Sequence, residues 1–344
     1  MKRKFVGVLM SMMLLMTAAC GSANASADGG TVEESPTMED PVAEESESND
    51  LPGDAPEDET EGESEGFIPW EDSGLEDAEI VWEDPNLESC VKYALSEITG
   101  EPEPDVLMLS DTYKITSLVC AMQLSDISGL SNLPNLTHLE LRFNDLSDLS
   151  PLSDLENLTE LNLTGYIDLE DLSMLSGLVN LTKLELVDCF EITNLNDLSN
   201  LTNLETLDLY RCYGLNDISG LSGLTNLTYL SLNSCDNVSD ISPLSSLTNL
   251  ETLILCYTSV SDVSALSGLT NLKMLNLRDA DVKDASPLAN LSNLEYLELA
   301  GCKDISDVSA LSGLTNLTYL RLAGTQVSDT SALSGLKNLQ IDMR

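Results

Sequence analysis

Leucine returns along this chain at an almost constant spacing, and that spacing constrains the fold more than any other feature. Units of 22 or 23 residues begin at Leu136, Leu158, Leu181, Leu204, Leu227, Leu250, Leu272, Leu294 and Leu317. Each unit reads L-x-x-L-x-L, then a variable stretch, a turn that contains aspartate, and a second group of leucines. A looser unit precedes them over residues 115–135. Self-similarity of this kind is the signature of a solenoid.

The pattern within each unit predicts how the units pack. The L-x-L core alternates between inward and outward side chains, which is typical of a short β-strand. One unit cannot bury its own leucines, so neighbouring units stack and share a continuous core. Their strands then form a parallel sheet with about 4.8 Å between neighbours. Leucines such as Leu152 and Leu155 lie on the return path and close the core from the other side.

These units resemble the leucine-rich repeats of internalins and internalin-like bacterial surface proteins. The resemblance covers residues 84–343 and includes an entry segment that looks like the helical cap of that family. In this segment Pro85 and Asn86 suit a helix start, and Leu87, Val91 and Leu95 form an apolar face. The resemblance implies an α/β fold: a curved leucine-rich-repeat solenoid with parallel β-strands on the concave face and 3₁₀ or irregular turns on the convex face. A helical N-terminal cap over 85–114 would precede repeats over 115–344.

The N-terminal residues predict an export signal. A basic start is followed by the apolar stretch 5–19, which is shorter than the roughly 20 residues needed to span a membrane. The sequence from Thr17 to Cys20 resembles the lipobox of bacterial lipoproteins, although Thr17 stands where leucine is usual. The resemblance implies a signal peptide over 1–19 and lipidation of Cys20, which would hold the protein on the extracellular face of the bacterial membrane. Secretion without an anchor is the alternative.

Residues 20–84 predict an acidic, disordered linker or stalk. Asp28 to Asp84 contains 23 carboxylates, and no Lys or Arg occurs between Phe5 and Val91. Such a segment buries too little apolar surface to offset the entropy of ordering it. Its apolar island at residues 67–70 is either a contact motif or the point where the linker docks on the domain. The net charge of −44 argues against nucleic acid as a partner, because binding to phosphates requires cations.

Two residue types, cysteine and aspartate, recur at fixed positions in the repeats and are candidates for a disulfide or a metal site. The ninth position of a unit holds Asn144 once and cysteine at Cys189, Cys212, Cys235 and Cys302. Stacked side chains point the same way, so we expect buried thiols, with a disulfide between neighbouring units left open. A bridge from Cys90 to Cys120 is also open.

Aspartate recurs before most of the convex turns, at Asp148, Asp171, Asp217, Asp240, Asp262, Asp284, Asp307 and Asp329. A calcium ladder would need a different loop spacing, so we expect these carboxylates to cap backbone N–H groups. His138 is the single histidine, and no zinc spacing or phosphate loop occurs in the sequence. We therefore expect no metal, no cofactor and no catalytic residues.

The third, fifth, seventh and eighth positions of each unit vary, and we expect them to face the concave surface. They hold Arg142, Phe143, Tyr210, Arg211, Tyr229, Tyr257, Arg278, Tyr296, Tyr319 and Arg321. Tyrosine and arginine are enriched at binding hot spots, although strands also favour tyrosine. We prefer the part of this set from Tyr229 onward as a binding patch.

These features predict a non-enzymatic, monomeric surface lipoprotein that binds an extracellular macromolecule, foremost a protein, with a role in adhesion. Its contact with the membrane would be the lipid on Cys20. A structural role in the envelope, with binding to glycan or other surface proteins, is the alternative, and an acidic hydrolase is a weaker one. Five residues follow Leu339, so we expect the last coil to be poorly capped.

Overall fold

The computed structural model describes residues 67–144 and 146–344. The predicted signal peptide, Cys20 and most of the predicted linker lie outside the described residues. Eleven strands of three residues form one parallel sheet in chain order. They are β1 Ser117–Val119, β2 His138–Glu140, β3 Glu160–Asn162, β4 Lys183–Glu185, β5 Thr206–Asp208, β6 Tyr229–Ser231, β7 Thr252–Ile254, β8 Met274–Asn276, β9 Tyr296–Glu298, β10 Tyr319–Arg321 and β11 Gln340–Asp342. The predicted solenoid, with its strands on the concave face, is confirmed.

The leucines of each unit form a single core along the solenoid. The central residue of each strand pairs with its equivalent in the next, as Leu184 pairs with Leu207. Both side chains are fully buried, and so are the leucines at the sixth position, such as Leu186. Burial of one such side chain stabilises the fold by about 1.5–3 kcal/mol. Stacking therefore buries the leucine side chains that a single unit would leave exposed.

Short 3₁₀ helices form the convex side, as predicted. Those of the repeats are Ser128–Asn132, Ser150–Asp154, Ser173–Leu175, Asn196–Leu198, Ser219–Gly223, Ser242–Ser246, Ser264–Gly268, Ser286–Asn290, Ser309–Gly313 and Ser331–Leu333. In the unit of Asp240, the carboxylate accepts a hydrogen bond from the N–H of Ser242 at 2.8 Å. The other seven aspartates of the column do the same at 2.8–2.9 Å. Their predicted capping role is confirmed.

A helical cap covers the first coil. Helix α1, Pro85–Thr99, begins where the Asp84 carboxylate accepts N–H bonds from Asn86 at 2.7 Å and Leu87 at 3.2 Å. It ends at Gly100, whose left-handed backbone suits glycine. A short second helix, α2, spans Leu109–Thr112. No helix in the described part of the chain is long and apolar enough to cross a membrane.

Asp84 also ties the cap to the repeats. Its second carboxylate oxygen accepts hydrogen bonds from the N–H and the hydroxyl of Ser125, at 2.5 and 2.8 Å. Burial of this carboxylate, which is 2% exposed, disfavours its charge, but the hydrogen bonds outweigh burial and lower its pKa to about 2. An ionised Asp84 is therefore part of the folded structure at neutral pH.

The C-terminal end of the predicted linker, residues 67–84, contacts the cap and the first coil. The backbone of Ile68 exchanges two hydrogen bonds of 2.7 Å with the Asn135 side chain. Trp70, in a 3₁₀ helix over Trp70–Asp72, packs edge-on against Tyr113, with ring centroids 5.1 Å apart. Of the two interpretations of the apolar island, docking on the domain is the one that the structure supports. Its apolar side chains supply the buried surface that the rest of the acidic segment lacks.

The last coil ends in a strand that the leucine pattern does not predict. Repetition of the leucine pattern from Leu339 would place Asp342 at the core-facing fourth position. Instead Ile341 pairs with Leu320, one residue earlier. A shift by one residue exchanges the two faces of a strand, so this register turns an apolar residue toward the core and keeps the carboxylate out of it.

Candidate binding surface on the concave face

The ten predicted residues divide into two groups by their place in the unit. Four lie on strands: Tyr229, Tyr296, Tyr319 and Arg321. The other six lie in the turn that follows each strand: Arg142, Phe143, Tyr210, Arg211, Tyr257 and Arg278. The ten residues were expected to share one strand face, but they form a sheet group on the strands and a rim group in the turns.

The rim exists because the eighth position of each unit has a left-handed backbone. It holds glycine in three units, but Phe143, Arg211 and Tyr257 have φ of 56°, 64° and 55°. The N–H at this position donates to a carbonyl of the next unit, as from Arg211 to Asn233 at 2.8 Å. The ladder between coils thus continues past the strand and fixes the turn, and the rim residues leave the sheet there. Phe143 is 65% exposed.

The sheet group is most ordered at its C-terminal end, in a set that we call the tyrosine–arginine cluster: Tyr296, Glu298, Tyr319, Arg321 and Asp342. The rings of Tyr296 and Tyr319 are stacked, with centroids 5.0 Å apart and an angle of 7° between their planes. The Tyr296 hydroxyl lies 3.2 Å from the Glu298 carboxylate, and the Tyr319 hydroxyl lies 3.3 Å from that of Asp342.

Arg321 is held between the two carboxylates of this cluster. Its guanidinium lies 3.7 Å from Glu298 and 3.4 Å from Asp342. Glu298 is 3% exposed, and burial raises its pKa although Arg321 and the N–H of Ala300 favour the charged form. Burial also raises the pKa of Tyr296. The cluster is therefore a preorganised patch of two aromatic rings beside a cation.

The fifth position of the units has a structural role that sequence reasoning missed. In several units its side chain accepts the N–H two residues later, which the ladder between coils leaves free. Asp208 caps Tyr210 at 3.0 Å, and Glu298 caps Ala300 at 2.9 Å. Equivalent bonds to Asn162, Asn276 and Asp342 span 2.9–3.0 Å. The recurrence of Asn, Asp or Glu at this position was the signal available in the sequence.

A second aromatic group lies on the rim near the middle of the solenoid. The Arg211 guanidinium lies 5.7–5.9 Å from the ring centres of Phe190, Tyr210 and Tyr213. It also pairs with Asp188 at 2.9 Å and bonds to the Tyr213 hydroxyl at 2.8 Å. Phe190 and Tyr213 were not predicted, although they hold equivalent positions of adjacent units. Elsewhere on the rim, Arg278 lies over the Tyr257 ring at 5.7 Å, and Arg142 pairs with Glu140 at 2.7 Å.

Tyr229 lies between these two groups. Burial raises the pKa of its hydroxyl, and the negative charge of Asp208 adds to the effect. Asp208 is itself half-buried, and the loss of solvent raises the pKa of its carboxyl despite hydrogen bonds from Ser231 and Tyr210. The concave face therefore carries partly buried polar groups in the middle as well as at the C-terminal end.

The cysteine column consists of buried free thiols, as predicted. Each donates to a main-chain carbonyl of the preceding unit, at 3.1–3.4 Å, from Cys189, Cys212, Cys235 and Cys302. Burial raises the pKa of Cys189 and Cys302 to about 12. Within residues 67–144 and 146–344, no group of His, Cys, Asp or Glu is arranged to hold a metal ion.

Comparison with known proteins supports the architecture and identifies relatives. A family model described as leucine-rich repeats (2 copies) matches residues 134–177, 202–246 and 270–313. Comparison with curated proteins found no match. Among solved structures, the internalin inlF of Listeria monocytogenes is 32% identical, with a TM-score of 0.69 and 76% of each chain covered. The internalin C2 of the same species is 37% identical, with a TM-score of 0.57 and coverage of 63% of this chain and 93% of its own. With this identity over most of both chains, the protein belongs to the internalin-like family of leucine-rich-repeat proteins.

Proposed function

We propose that this protein is a non-enzymatic surface protein that binds an extracellular protein partner through the concave face of its repeats. Extended concave surfaces are what solenoids present to their partners. The single observation that carries the proposal is the tyrosine–arginine cluster. Its side chains are fixed by stacking and ion pairing before any partner arrives, so little side-chain entropy remains to be lost on binding.

Tyrosine and arginine are also the residues expected at the centre of a contact. Both present a large apolar surface that ends in a hydrogen-bonding group, which is why they dominate binding hot spots. Tyr229, Tyr257 and Arg278 extend the patch over the units that precede the cluster. The rim group around Arg211 is a second contact region at the edge of the same face.

The concave carboxylates favour this proposal over a hydrolase. Asp208 and Glu298 each accept a backbone N–H in the turn after their strand, and Glu298 also holds Arg321. A paired acid and base for glycoside cleavage would need carboxylates free to exchange protons with a substrate. These two carboxylates instead have a structural role.

The proposed location follows from residues outside the described part of the chain. Lipidation of Cys20 would fix the protein to the outer face of the bacterial membrane, and residues 21–66 would then be the stalk. Several acyl chains, at about 0.8 kcal/mol per buried CH₂, give stable anchoring. Growth of cells with labelled palmitate tests this: label in the wild type and none in Cys20→Ala is expected, whereas an unlabelled wild type supports secretion.

Capture with the full-length chain as bait tests the binding function. Extracellular protein fractions and a glycan array are presented to the wild type, to Tyr319→Ala and to the matched control Tyr93→Ala. Tyr93 lies on α1 and is 56% exposed. We expect one protein that is retained by the wild type and the control and lost by Tyr319→Ala. Retention of glycan without any protein would support the envelope-scaffold alternative, and equal retention by Tyr319→Ala would reject this face.

A further inference from the structure

Two cysteines meet where the cap contacts the first coil. Cys90 lies on the buried face of α1, next to Val91 and one turn from Leu87. Cys120 directly follows β1, and its N–H donates to the Glu140 carbonyl of the next unit at 3.0 Å. Both are free, buried thiols of the same core, and their side chains interact with each other across this junction. The sulfur atoms are therefore neighbours across the junction between helix and sheet.

The position of Cys120 in the repeat makes this pairing specific. It is the sixth position, which points into the core and holds leucine in the later units: Leu141, Leu163, Leu186, Leu209, Leu232, Leu255, Leu277, Leu299 and Leu322. Cysteine replaces this leucine in the coil that α1 covers, and α1 carries a cysteine against it. Simple core packing would be satisfied by leucine, as it is in those nine units.

The thiols of the repeat column behave differently. Those of Cys189, Cys212, Cys235 and Cys302 each donate to a backbone carbonyl of the preceding unit. Stacked side chains of this kind are held parallel, which is unfavourable for the roughly 90° torsion of a disulfide. Cys90 and Cys120 approach from different elements and are free of that restriction.

We propose that Cys90 and Cys120 are joined by a disulfide that fastens α1 to the first coil. The oxidant is a small-molecule or protein disulfide, R–S–S–R. The Cys90 thiolate attacks one sulfur of the oxidant and releases the first thiolate, which takes up the proton that Cys90 lost. The Cys120 thiolate then attacks the mixed disulfide at Cys90 and expels the second thiolate, which takes the proton from Cys120. Two protein thiols are oxidised, and one R–S–S–R is reduced to two R–SH.

The environment of the pair determines which sulfur reacts first. The hydrogen bond from the Cys120 thiol lowers the pKa of Cys90 despite burial, and an N–H bond from Met122 acts in the same direction. The same hydrogen bond, together with burial, raises the pKa of Cys120. Cys90 is also the more exposed of the two, at 5% against 1%. It therefore reacts with the oxidant and Cys120 resolves the mixed disulfide.

The cross-link would close a segment that includes the rest of α1, α2 and β1. It restricts the unfolded chain and so stabilises the junction, which we expect to raise the melting temperature on the order of 5 °C. This inference is independent of the proposed binding function, since it concerns only the cap and the first coil.

The test is refolding of the full-length protein from urea in glutathione buffers of graded oxidation, followed by alkylation and mass spectrometry. Cleavage after glutamates places Cys20, Cys90 and Cys120 on three separate peptides. We expect Cys90 and Cys120 to be recovered as one cross-linked pair of peptides, while Cys189, Cys212, Cys235 and Cys302 are alkylated. Full alkylation of Cys90 and Cys120 in the oxidised protein overturns the proposal.

Thermal unfolding provides the second readout and its controls. The wild type should lose its additional stability when reduced. Cys120→Leu, which restores the residue of the later units, should melt at one temperature in both buffers, and Cys302→Ser should keep the difference. Cys90→Ala serves as the second variant if Cys120→Leu does not fold. If the redox-dependent shift of the melting temperature persists in Cys120→Leu or Cys90→Ala, the shift arises from other cysteines, and this result contradicts the proposal.

Discussion

The rings of Tyr296 and Tyr319 stack across neighbouring strands with their planes 7° from parallel and their centroids 5.0 Å apart. Both side chains occupy the third position of their units, so the repeat interval of 23 residues determines the contact. Their hydroxyl groups reach Glu298 and Asp342, the two carboxylates that also hold Arg321. One repeat interval thus produces an ordered aromatic and cationic patch.

Removal of one ring tests the energetic value of this stack. Aromatic pairs contribute about 0.5–1.5 kcal/mol beyond the area that they bury. We expect Tyr319→Ala to lower the free energy of unfolding by about 1–3 kcal/mol in urea, and Tyr93→Ala by less than about 0.5 kcal/mol. Equal losses in the two variants would show that the stack adds nothing.

A tight contact between coils makes a glycine substitution informative. An ideal Cβ on Gly220 would lie 2.0 Å from the Leu195 carbonyl oxygen, whereas one on Gly268 would meet nothing within 4 Å. Both glycines lie in 3₁₀ helices. We expect Gly220→Ala to destabilise the protein by about 1–3 kcal/mol and Gly268→Ala to be neutral or slightly stabilising. Urea denaturation measures both, and a neutral Gly220→Ala would mean that the coils separate at little cost.

The aspartates that cap the convex turns should stabilise the fold more at neutral pH than at acidic pH. Hydrogen bonds from Ser242 lower the pKa of Asp240 below its usual 3.8. Stability from this group is therefore present above the unfolded pKa and is lost as the pH falls through the folded pKa. Asp240→Ala should lower the melting temperature at pH 7 and have less effect at pH 2, whereas Asp240→Asn, which keeps the acceptor oxygen, should retain most of the stability. An equal loss at both pH values would contradict the capping account.

The carboxylate of Asp208 on the concave face should have the opposite effect, because its charge lowers the stability of the fold at neutral pH. Burial raises its pKa above 3.8, so its charge destabilises the fold above the folded pKa, and this cost disappears below the unfolded pKa. Asp208→Asn keeps an acceptor for the N–H of Tyr210 and should raise the melting temperature by a few degrees at pH 7. The gain should shrink toward pH 4. A variant less stable than the wild type at pH 7 would show that the charge is required.

The buried thiols of the cysteine column should react slowly with alkylating reagents. Burial raises the pKa of Cys189 and Cys302 to about 12, so few thiolates form at pH 8 and reagents reach them poorly. We expect iodoacetamide to label these two at least about tenfold more slowly in the native protein than in urea. Labelling at the same rate in both conditions would place the thiols at the surface.

The regular part of this molecule could be predicted because one physical requirement repeats. Leucines such as Leu184 and Leu207 must all be buried by stacking, so their spacing determines strands, register and core together. The recurring Asp240-type caps follow from the same periodicity. Both depend on interactions within a unit or between adjacent units, which a single sequence displays.

The irregular parts could not be predicted because they depend on backbone geometry or on contacts outside the repeat. Arg211 and Tyr257 look like strand residues in the sequence, but the left-handed turn moves them to the rim. Ile68 docks through Asn135, which is distant in sequence. Ile341 enters the core one residue early because the leucine pattern would have placed a carboxylate there.

The most direct test of the proposed binding face is the affinity of a captured partner, measured by calorimetry. Tyr319→Ala and Arg321→Gln change the tyrosine–arginine cluster, and Tyr93→Ala and Lys337→Gln are matched changes of exposed residues elsewhere. We predict that each change in the cluster weakens binding at least about tenfold, which corresponds to about 1.4 kcal/mol, while the controls bind as the wild type does. Unchanged affinity in both cluster variants, with folding intact by circular dichroism, would contradict the account.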